Sequence, residues 1–301
     1  MYKIRLKGRL GNQLFIYAFA RELVNKYGKK VLIYDRKNEK DDMWYSHLDN
    51  YPLNKNIKFT SDKNQVMKMS LLSKMMFIYN RIKIRYMSPR QRYTFEINNF
   101  DRFKRHKLFL LTDGYIELPN EISDGTFFDG YFQSPKYFNE IRNDLLKELT
   151  PVHNYTDEEL EFIQKIKNTE SVCVTIRLGD YINNSTHQVC SKEFYINAMD
   201  KLKKMYPNCT FFIFSDEVKK AEKIFDFKYP VIFDSGEMDD YVSLHVMSLC
   251  KHFIISNSSF SWWAQYLSSN PQKTVIAPDK WYAEDVPYDI YEDNWLLMKG
   301  K

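Results

Sequence analysis

The sequence predicts an α/β protein made of two parallel-sheet domains that face a central cleft. Three observations lead there. The chain opens on a strand, a glycine-containing turn, a helix and a second strand, the order that places two strands side by side and parallel. Its second half repeats that rhythm with strands that are apolar throughout (SVCVTI, TFFIF, HFII), as in sheets covered on both faces. A length of 301 residues is enough for two domains of ordinary size.

Taken in order, Lys3–Leu6 reads as the first strand and Leu14–Tyr27 as a helix. Leu14, Tyr17, Ala18 and Leu23 fall near helical spacing, and Gly28 is the stop. Lys30–Tyr34 (KVLIY) is the second strand. Gln65–Met87 is rich in Met, Ile and basic residues and reads as one or two amphipathic helices; Arg90, Arg92, Arg102, Lys104 and Arg105 continue the basic run. Two readings of that region stand side by side: a solvated basic face on a core-packing helix, or contact with an anionic membrane surface or a lipid-phosphate-linked acceptor. Leu108–Thr112 and Thr126–Phe132 read as strands, and Ser134–Pro135 opens a helix that runs through Leu149. Thr150–Pro151 breaks it, and Asp157–Lys167 follows as a helix with an acidic first turn.

The boundary therefore falls around Thr150–Thr156, giving domains 1–155 and 156–301. In the second, Ser171–Ile176, Thr210–Phe214, Val231–Phe233, His252–Ile255 and Thr274–Ala277 read as strands. Ser191–Met205, Val218–Phe225, Tyr241–Cys250 and Phe260–Ser268 read as the helices between and after them.

Composition removes several function classes. A net charge of +5 lacks the concentrated basic excess of a dedicated nucleic-acid binder. The four cysteines (Cys173, Cys190, Cys209, Cys250) form no C-x-x-C pair, which predicts free thiols in a reducing compartment. The six histidines are scattered and no D-x-D occurs, so neither a metal site nor a cofactor is expected. The chain enters a strand almost at once and has no stretch of 18 uncharged apolar residues, which predicts a soluble, cytoplasmic protein. Membrane contact, if the basic region makes it, would be peripheral and on the inner face.

Chemistry is expected where strands end and helices begin, because ligands of parallel sheets bind beyond the carboxyl ends of the strands. Three such stretches carry polar groups suited to an anion. In GRLGNQ (Gly8–Gln13), Gly8 and Gly11 let backbone approach a ligand and Asn12 offers both donors and an acceptor. In RLGDY (Arg177–Tyr181), Arg177 supplies a guanidinium fork for phosphate, and Asp180 orients it or caps the next segment. In SNSSFSWW (Ser256–Trp263), Asn257, Ser258 and Ser259 lie at a helix start whose free N–H groups suit a phosphate. Each taken alone has a plain structural alternative: a chain reversal, an Arg–Asp pair, a helix cap. Together, without a divalent metal, they suit the neutralisation of a leaving diphosphate, and so a nucleotide-sugar transferase.

Five blocks in order resemble glycosyltransferase family 11, the α-1,2-fucosyltransferases, over nearly the whole chain: GRLGNQLFIYAFA, GYFQSPKYF (Gly130–Phe138), VTIRLGDY, FIFSDE and SNSSFSWWAQYL. The resemblance implies a GT-B-type fold of two Rossmann-like domains. It also implies GDP-β-L-fucose as donor, inversion at the anomeric carbon, no metal or cofactor, and an α-1,2 product on a terminal β-galactose of a glycan; the basic Gln65–Lys107 region, not the resemblance, adds the reading that this glycan is lipid-linked. Carried over, 1–155 takes the acceptor and 156–301 the GDP-sugar. Arg177 binds the diphosphate, and Asn12 reaches toward the diphosphate or fucose. Gly11, Gln13, Asp180, Asn257, Ser258 and Ser259 join the donor site, with Asp216 where related enzymes read guanosine. The family's motif His is Thr175 here and its second Arg is Leu178. The general base is left open among Asp35, His47 and Asp129. Two alternatives stay open: another GDP-sugar or linkage on the same fold, and a glycan- or nucleotide-binding homologue weak in catalysis.

Overall fold

The computed structural model of the chain describes residues 1–35, 48–179, 189–283 and 289–301. The chain divides into two compact units at Leu149/Thr150, and the described residues 289–291 return to the first unit before Glu292–Lys301 closes the second.

In the first unit the order is β1 (Tyr2–Arg5), α1 (Leu10–Tyr27), β2 (Val31–Tyr34), β3 (Ile57–Thr60), α2 (Lys63–Val66), α3 (Leu71–Ile84), α4 (Pro89–Asn98), α5 (Phe100–Arg105), β4 (Leu108–Leu111), β5 (Phe127–Gly130) and α6 (Arg142–Glu148). The five strands form a parallel sheet in the order β3-β2-β1-β5-β4. α1 is buried along most of its length, from Leu10 to Leu23. Phe19 stacks on Phe132 at 3.8 Å and meets Phe128 edge-on, which fixes the helix against the sheet. α1 starts at Leu10, four residues before the sequence suggests, so Gly11, Asn12 and Gln13 are its first turn rather than a free loop. The helix predicted from Ser134 is shorter: two 3-10 turns (Pro135–Tyr137 and Asn139–Ile141) precede α6, because Ser134 and Pro135 set a tight turn rather than a full helix. β3 escapes the sequence reading because IKFT is brief, polar at its second position and on the sheet edge.

In the second unit follow α7 (Asp157–Lys167), β6 (Glu170–Ile176), α8 (Lys192–Met205), β7 (Cys209–Ser215), α9 (Val218–Ile224), β8 (Val231–Phe233), α10 (Asp240–Ser248), β9 (His252–Ile254), α11 (Ser259–Tyr266), β10 (Val275–Pro278) and β11 (Leu296–Met298). All six strands are parallel, in the order β11-β10-β9-β6-β7-β8. Numbered from β6, this is the doubly wound order 3-2-1-4-5-6, with the winding reversing between β6 and β9. α7 begins with a capping box in which Thr156 and Glu159 satisfy each other's backbone N–H groups, and three acidic residues sit in its first turn. The four cysteines are free thiols. Among the described residues no helix is long and apolar enough to cross a membrane.

The carboxyl edge of the first sheet holds a buried ion cluster. Asp129 on β5 accepts from Arg5 Nη2 through both carboxylate oxygens, at 3.0 and 2.8 Å, and Lys7 Nζ lies 3.0 Å from its Oδ1. Burial alone would raise this carboxyl, but Lys7 and Arg5 outweigh it and hold Asp129 below the usual carboxylate range. Such a carboxylate is a weak base, which argues against Asp129 as proton acceptor. With its folded value depressed, its stabilisation is complete above the unfolded value near 4 and is lost as pH falls through and below it. Asp129→Asn should therefore lower unfolding free energy by about 3–5 kcal/mol at pH 7, leaving two cations without their partner. Denaturation at pH 7 and pH 3 should show the gap to wild type narrowing in acid; a gap of equal size at both would contradict this role.

Candidate active site

In a doubly wound sheet the chain leaves neighbouring strands in opposite directions where the winding reverses, and the carboxyl ends there open a crevice. In the second unit that crevice lies between β6 and β9. Arg177, Leu178 and Gly179 leave β6, and Ser256, Asn257 and Ser258 leave β9 to start α11. Two of the three stretches singled out in the sequence thus flank one reversal point.

Asp216 shapes the β6 side. It follows β7, whose register with β6 ends at Ile176↔Ser215 and so brings Asp216 opposite Arg177. Its Oδ1 accepts from Leu178 N–H at 2.9 Å and its Oδ2 from Gly179 N–H at 3.0 Å, while Arg177 Nη1 lies 3.2 Å from Oδ2. One carboxylate thus fixes the turn and holds the guanidinium, through charge-assisted hydrogen bonds. A Cβ at position 179 would stand 2.6 Å from Asp216 Oδ2, so the close approach requires glycine. Arg177 and Asp216 side chains are each 19% exposed, which leaves the cation within reach of a ligand.

Thr175 joins the two sides. Its buried hydroxyl accepts from Ser256 N–H at 3.0 Å, so the residue standing for the family's His ties the end of β6 to the loop after β9. Leu178, standing for the second Arg, is 8% exposed and belongs to the hydrophobic cluster that includes Val174, Ile176 and Phe194. Its side chain lies in the core, where a guanidinium would be costly to bury.

On the β9 side Ser258 caps α11, its hydroxyl accepting from Phe260 N–H, and Ser259 is the first helical residue. Asn257 is buried; its Nδ2 donates to the Trp281 carbonyl at 2.9 Å and its Oδ1 accepts from the Cys190 thiol at 3.9 Å. It acts as a tie that holds the loop. Burial in particular pushes the Cys190 thiol up to about 12, so it is present as a neutral donor. Asp180, placed in the donor set by the sequence, and His47, a base candidate, lie outside the described residues.

The third stretch belongs to the first unit, where the chain leaves β1, the central strand that pairs with β2 and β5. Gly8 adopts φ +78°, the left-handed region that glycine favours, and a Cβ there would lie 2.4 Å from the Asn12 side chain. Gln13 is fully buried and its Nε2 donates to the Gly8 carbonyl at 2.9 Å, so it closes the turn. Gly11 is buried within the first turn of α1. Asn12 is partly exposed, and its Oδ1 accepts from Gln133 Nε2 at 2.7 Å. Gln133 lies in GYFQSPKYF, a block that carries the resemblance but to which composition and spacing give no role. Asp35, a base candidate, follows β2 and is 3% exposed.

The sequence matches the family described as Glycosyl transferase family 11 over residues 1–299. The chain belongs to glycosyl transferase family 11. It is 30% identical to an Escherichia coli alpha-1,2-colitosyltransferase over 98% of both chains. It is also 30% identical to a Caenorhabditis elegans galactoside 2-alpha-L-fucosyltransferase, covering 63% of this chain and 57% of that one. A crystal structure of the fucosyltransferase NodZ from Bradyrhizobium superposes with a TM-score of 0.52 at 14% identity, over 92% of this chain and 94% of that one. The family and the two parallel Rossmann-like sheets make this a glycosyltransferase of GT-B type.

Asp216→Asn should keep the fold but weaken the clamp, lowering stability by about 1–3 kcal/mol. Gly179→Ala should also lower the thermal midpoint by forcing the turn off Asp216. Calorimetry on the two variants checks this; midpoints equal to wild type would contradict the clamp.

Proposed function

We propose that this family 11 enzyme transfers L-fucose from GDP-β-L-fucose to the 2-hydroxyl of a galactoside, with inversion and without a metal ion. The acceptor in this proposal is the terminal β-galactose of a glycan, and no cofactor takes part. The observation that carries the proposal is the β6/β9 crevice: Arg177, fixed on Asp216, on one side and the capped start of α11 on the other. Together they offer a guanidinium and helix-end amides to a diphosphate.

In this reading the second unit binds the GDP-sugar and the first takes the acceptor. The bond between the anomeric carbon and the diphosphate oxygen breaks, and the electron pair leaves with GDP. The acceptor oxygen bonds to the opposite face of that carbon and gives up its proton. Arg177 and the amides of the Ser258–Ser259 segment stabilise the charge that grows on the departing diphosphate. Preorganised donors of this kind are worth about 3–4 kcal/mol each. Asn12, oriented by Gln133, keeps the role of addressing the diphosphate or fucose, while Gly11 and Gln13 act on the donor only through the shape of that turn.

A second donor is favoured by a specific observation, the 30% identity to a colitosyltransferase along the full length. Colitose is fucose without its 3-hydroxyl, so a single hydrogen-bonding position separates the two donors. Incubating the protein with GDP-fucose, GDP-colitose or GDP-mannose and a β-galactoside, in the presence of EDTA, decides between them. The expected product is the α-1,2-fucosyl galactoside from GDP-fucose. Transfer from another nucleotide sugar alone, or loss of turnover in EDTA, would overturn the corresponding part. Arg177→Ala should lower kcat by about 100- to 1,000-fold with an unchanged circular dichroism spectrum; near-wild-type turnover would move the diphosphate elsewhere.

A further inference from the structure

The helix α3 carries an apolar face that nothing among the described residues covers. Ser73, Phe77, Asn80 and Ile84 are its buried side. Two hydrogen bonds fix its rotation: Ser73 Oγ donates to the His106 carbonyl at 2.7 Å, and Asn80 Nδ2 donates to Glu96 Oε1 at 3.1 Å. The opposite side must then face out, and its residues follow at steps of four, three and four: Leu71, Met75, Ile78 and Ile82. They are 75, 57, 55 and 66% exposed, and Leu72 and Tyr86 extend the patch at 61 and 87%. Single exposed apolar residues are ordinary, but a continuous stripe along a 14-residue helix is the mark of a contact surface.

The charges around the stripe have one sign. Lys74, Arg81 and Arg85 flank it on one side and Lys83 on the other, all exposed. Residues 63–95 contain eight Lys or Arg and no Asp or Glu. A cavity of about 270 Å³ beside the helix adds Lys63 and Arg5 to Lys74, above an apolar floor of Met67 and Phe77. An apolar stripe edged by cations is the design of a helix that lies in the plane of a membrane surface. A second copy of the chain suits it less well, because a two-fold interface would press these cations against their own counterparts.

We propose that α3 docks the protein on an anionic bilayer, with Leu71, Met75, Ile78 and Ile82 entering the headgroup–acyl boundary and the flanking Lys and Arg engaging lipid phosphates. This holds whichever sugar is transferred. It gives the exposed basic region the sharper of its two sequence readings, and it would keep the enzyme on the surface where a lipid-linked acceptor is found.

The test is co-sedimentation with vesicles of phosphatidylcholine alone and of phosphatidylcholine with phosphatidylglycerol. The wild type should bind the anionic vesicles, bind phosphatidylcholine at least about tenfold more weakly, and lose binding as salt rises. Met75→Glu with Ile82→Glu should reduce anionic-vesicle binding by about tenfold or more with an unchanged melting curve. As a second reading of the same face, Ile82→Trp should shift its emission to the blue on anionic vesicles only. No binding to anionic vesicles would overturn the proposal. So would equal binding by the double variant, or a wild-type dimer that the double variant converts to a monomer while vesicles remain unbound.

Discussion

The geometry of the candidate site depends on one pairing. β6 and β7 run parallel in unbroken register for seven residues each, from Glu170↔Cys209 to Ile176↔Ser215. Because the register ends there, the next residue of β7's chain, Asp216, meets the three residues that leave β6. A slip of one residue would exchange the side chains between two close-packed faces, and the shape-matched packing on both sides opposes it. The hydrophobic core thus sets where a carboxylate stands, and the carboxylate sets where Arg177 stands. Thr175 then ties the same strand end to the β9 loop, so that both walls of the crevice are referenced to β6.

The first unit solves a related problem with a different device. Its β1/β5 edge carries Arg5, Lys7 and Asp129, three charges in little water, and they are tolerable because they are mutually hydrogen-bonded. Next to them Gly8, Asn12, Gln13 and Gln133 form a neutral hydrogen-bonded set that closes the first turn of α1. One unit therefore presents a positioned cation and the other a positioned amide. In the proposed function the cation would stabilise a leaving anion and the amide would orient a sugar, and neither role needs a strongly basic side chain at Asp129. The α3 face lies apart from both of these sets, an exposed apolar stripe edged by cations.

Much of this was legible in the sequence. The continuous apolar runs around Val172–Ile176 and Phe211–Phe214 announce buried parallel strands, and the acidic first turn of Asp157–Lys167 announces a helix start. Ser258 is legible because a hydroxyl between a strand and a helix has few other uses. What stayed hidden is what depends on distant pairing. The hold of Asp216 on Arg177 follows from a register between strands more than 30 residues apart, so it leaves no sign in the sequence, and Asp216 enters there only through the resemblance, as a guanosine-reading group. Leu178 reads as a lost cation, yet the same turn directs it into the core. The resemblance places Gln13 and Asn257 in the donor site; in the structure Gln13 binds the Gly8 carbonyl of its own turn, and Asn257 ties its loop to the Trp281 carbonyl and the Cys190 thiol. The edge strands β3 and β11 escape the sequence reading because IKFT is brief and interrupted by a lysine, and LLM is apolar but only three residues long.

The account turns on the crevice between β6 and β9 as the diphosphate site. A crystal structure with GDP bound tests it most directly. The account predicts the diphosphate within hydrogen-bonding distance of the Arg177 guanidinium and of the backbone amides at Ser258–Ser259, with Asp216 still holding Leu178 and Gly179. A diphosphate bound away from the β6/β9 edge, or an Arg177 turned from it, would contradict the account.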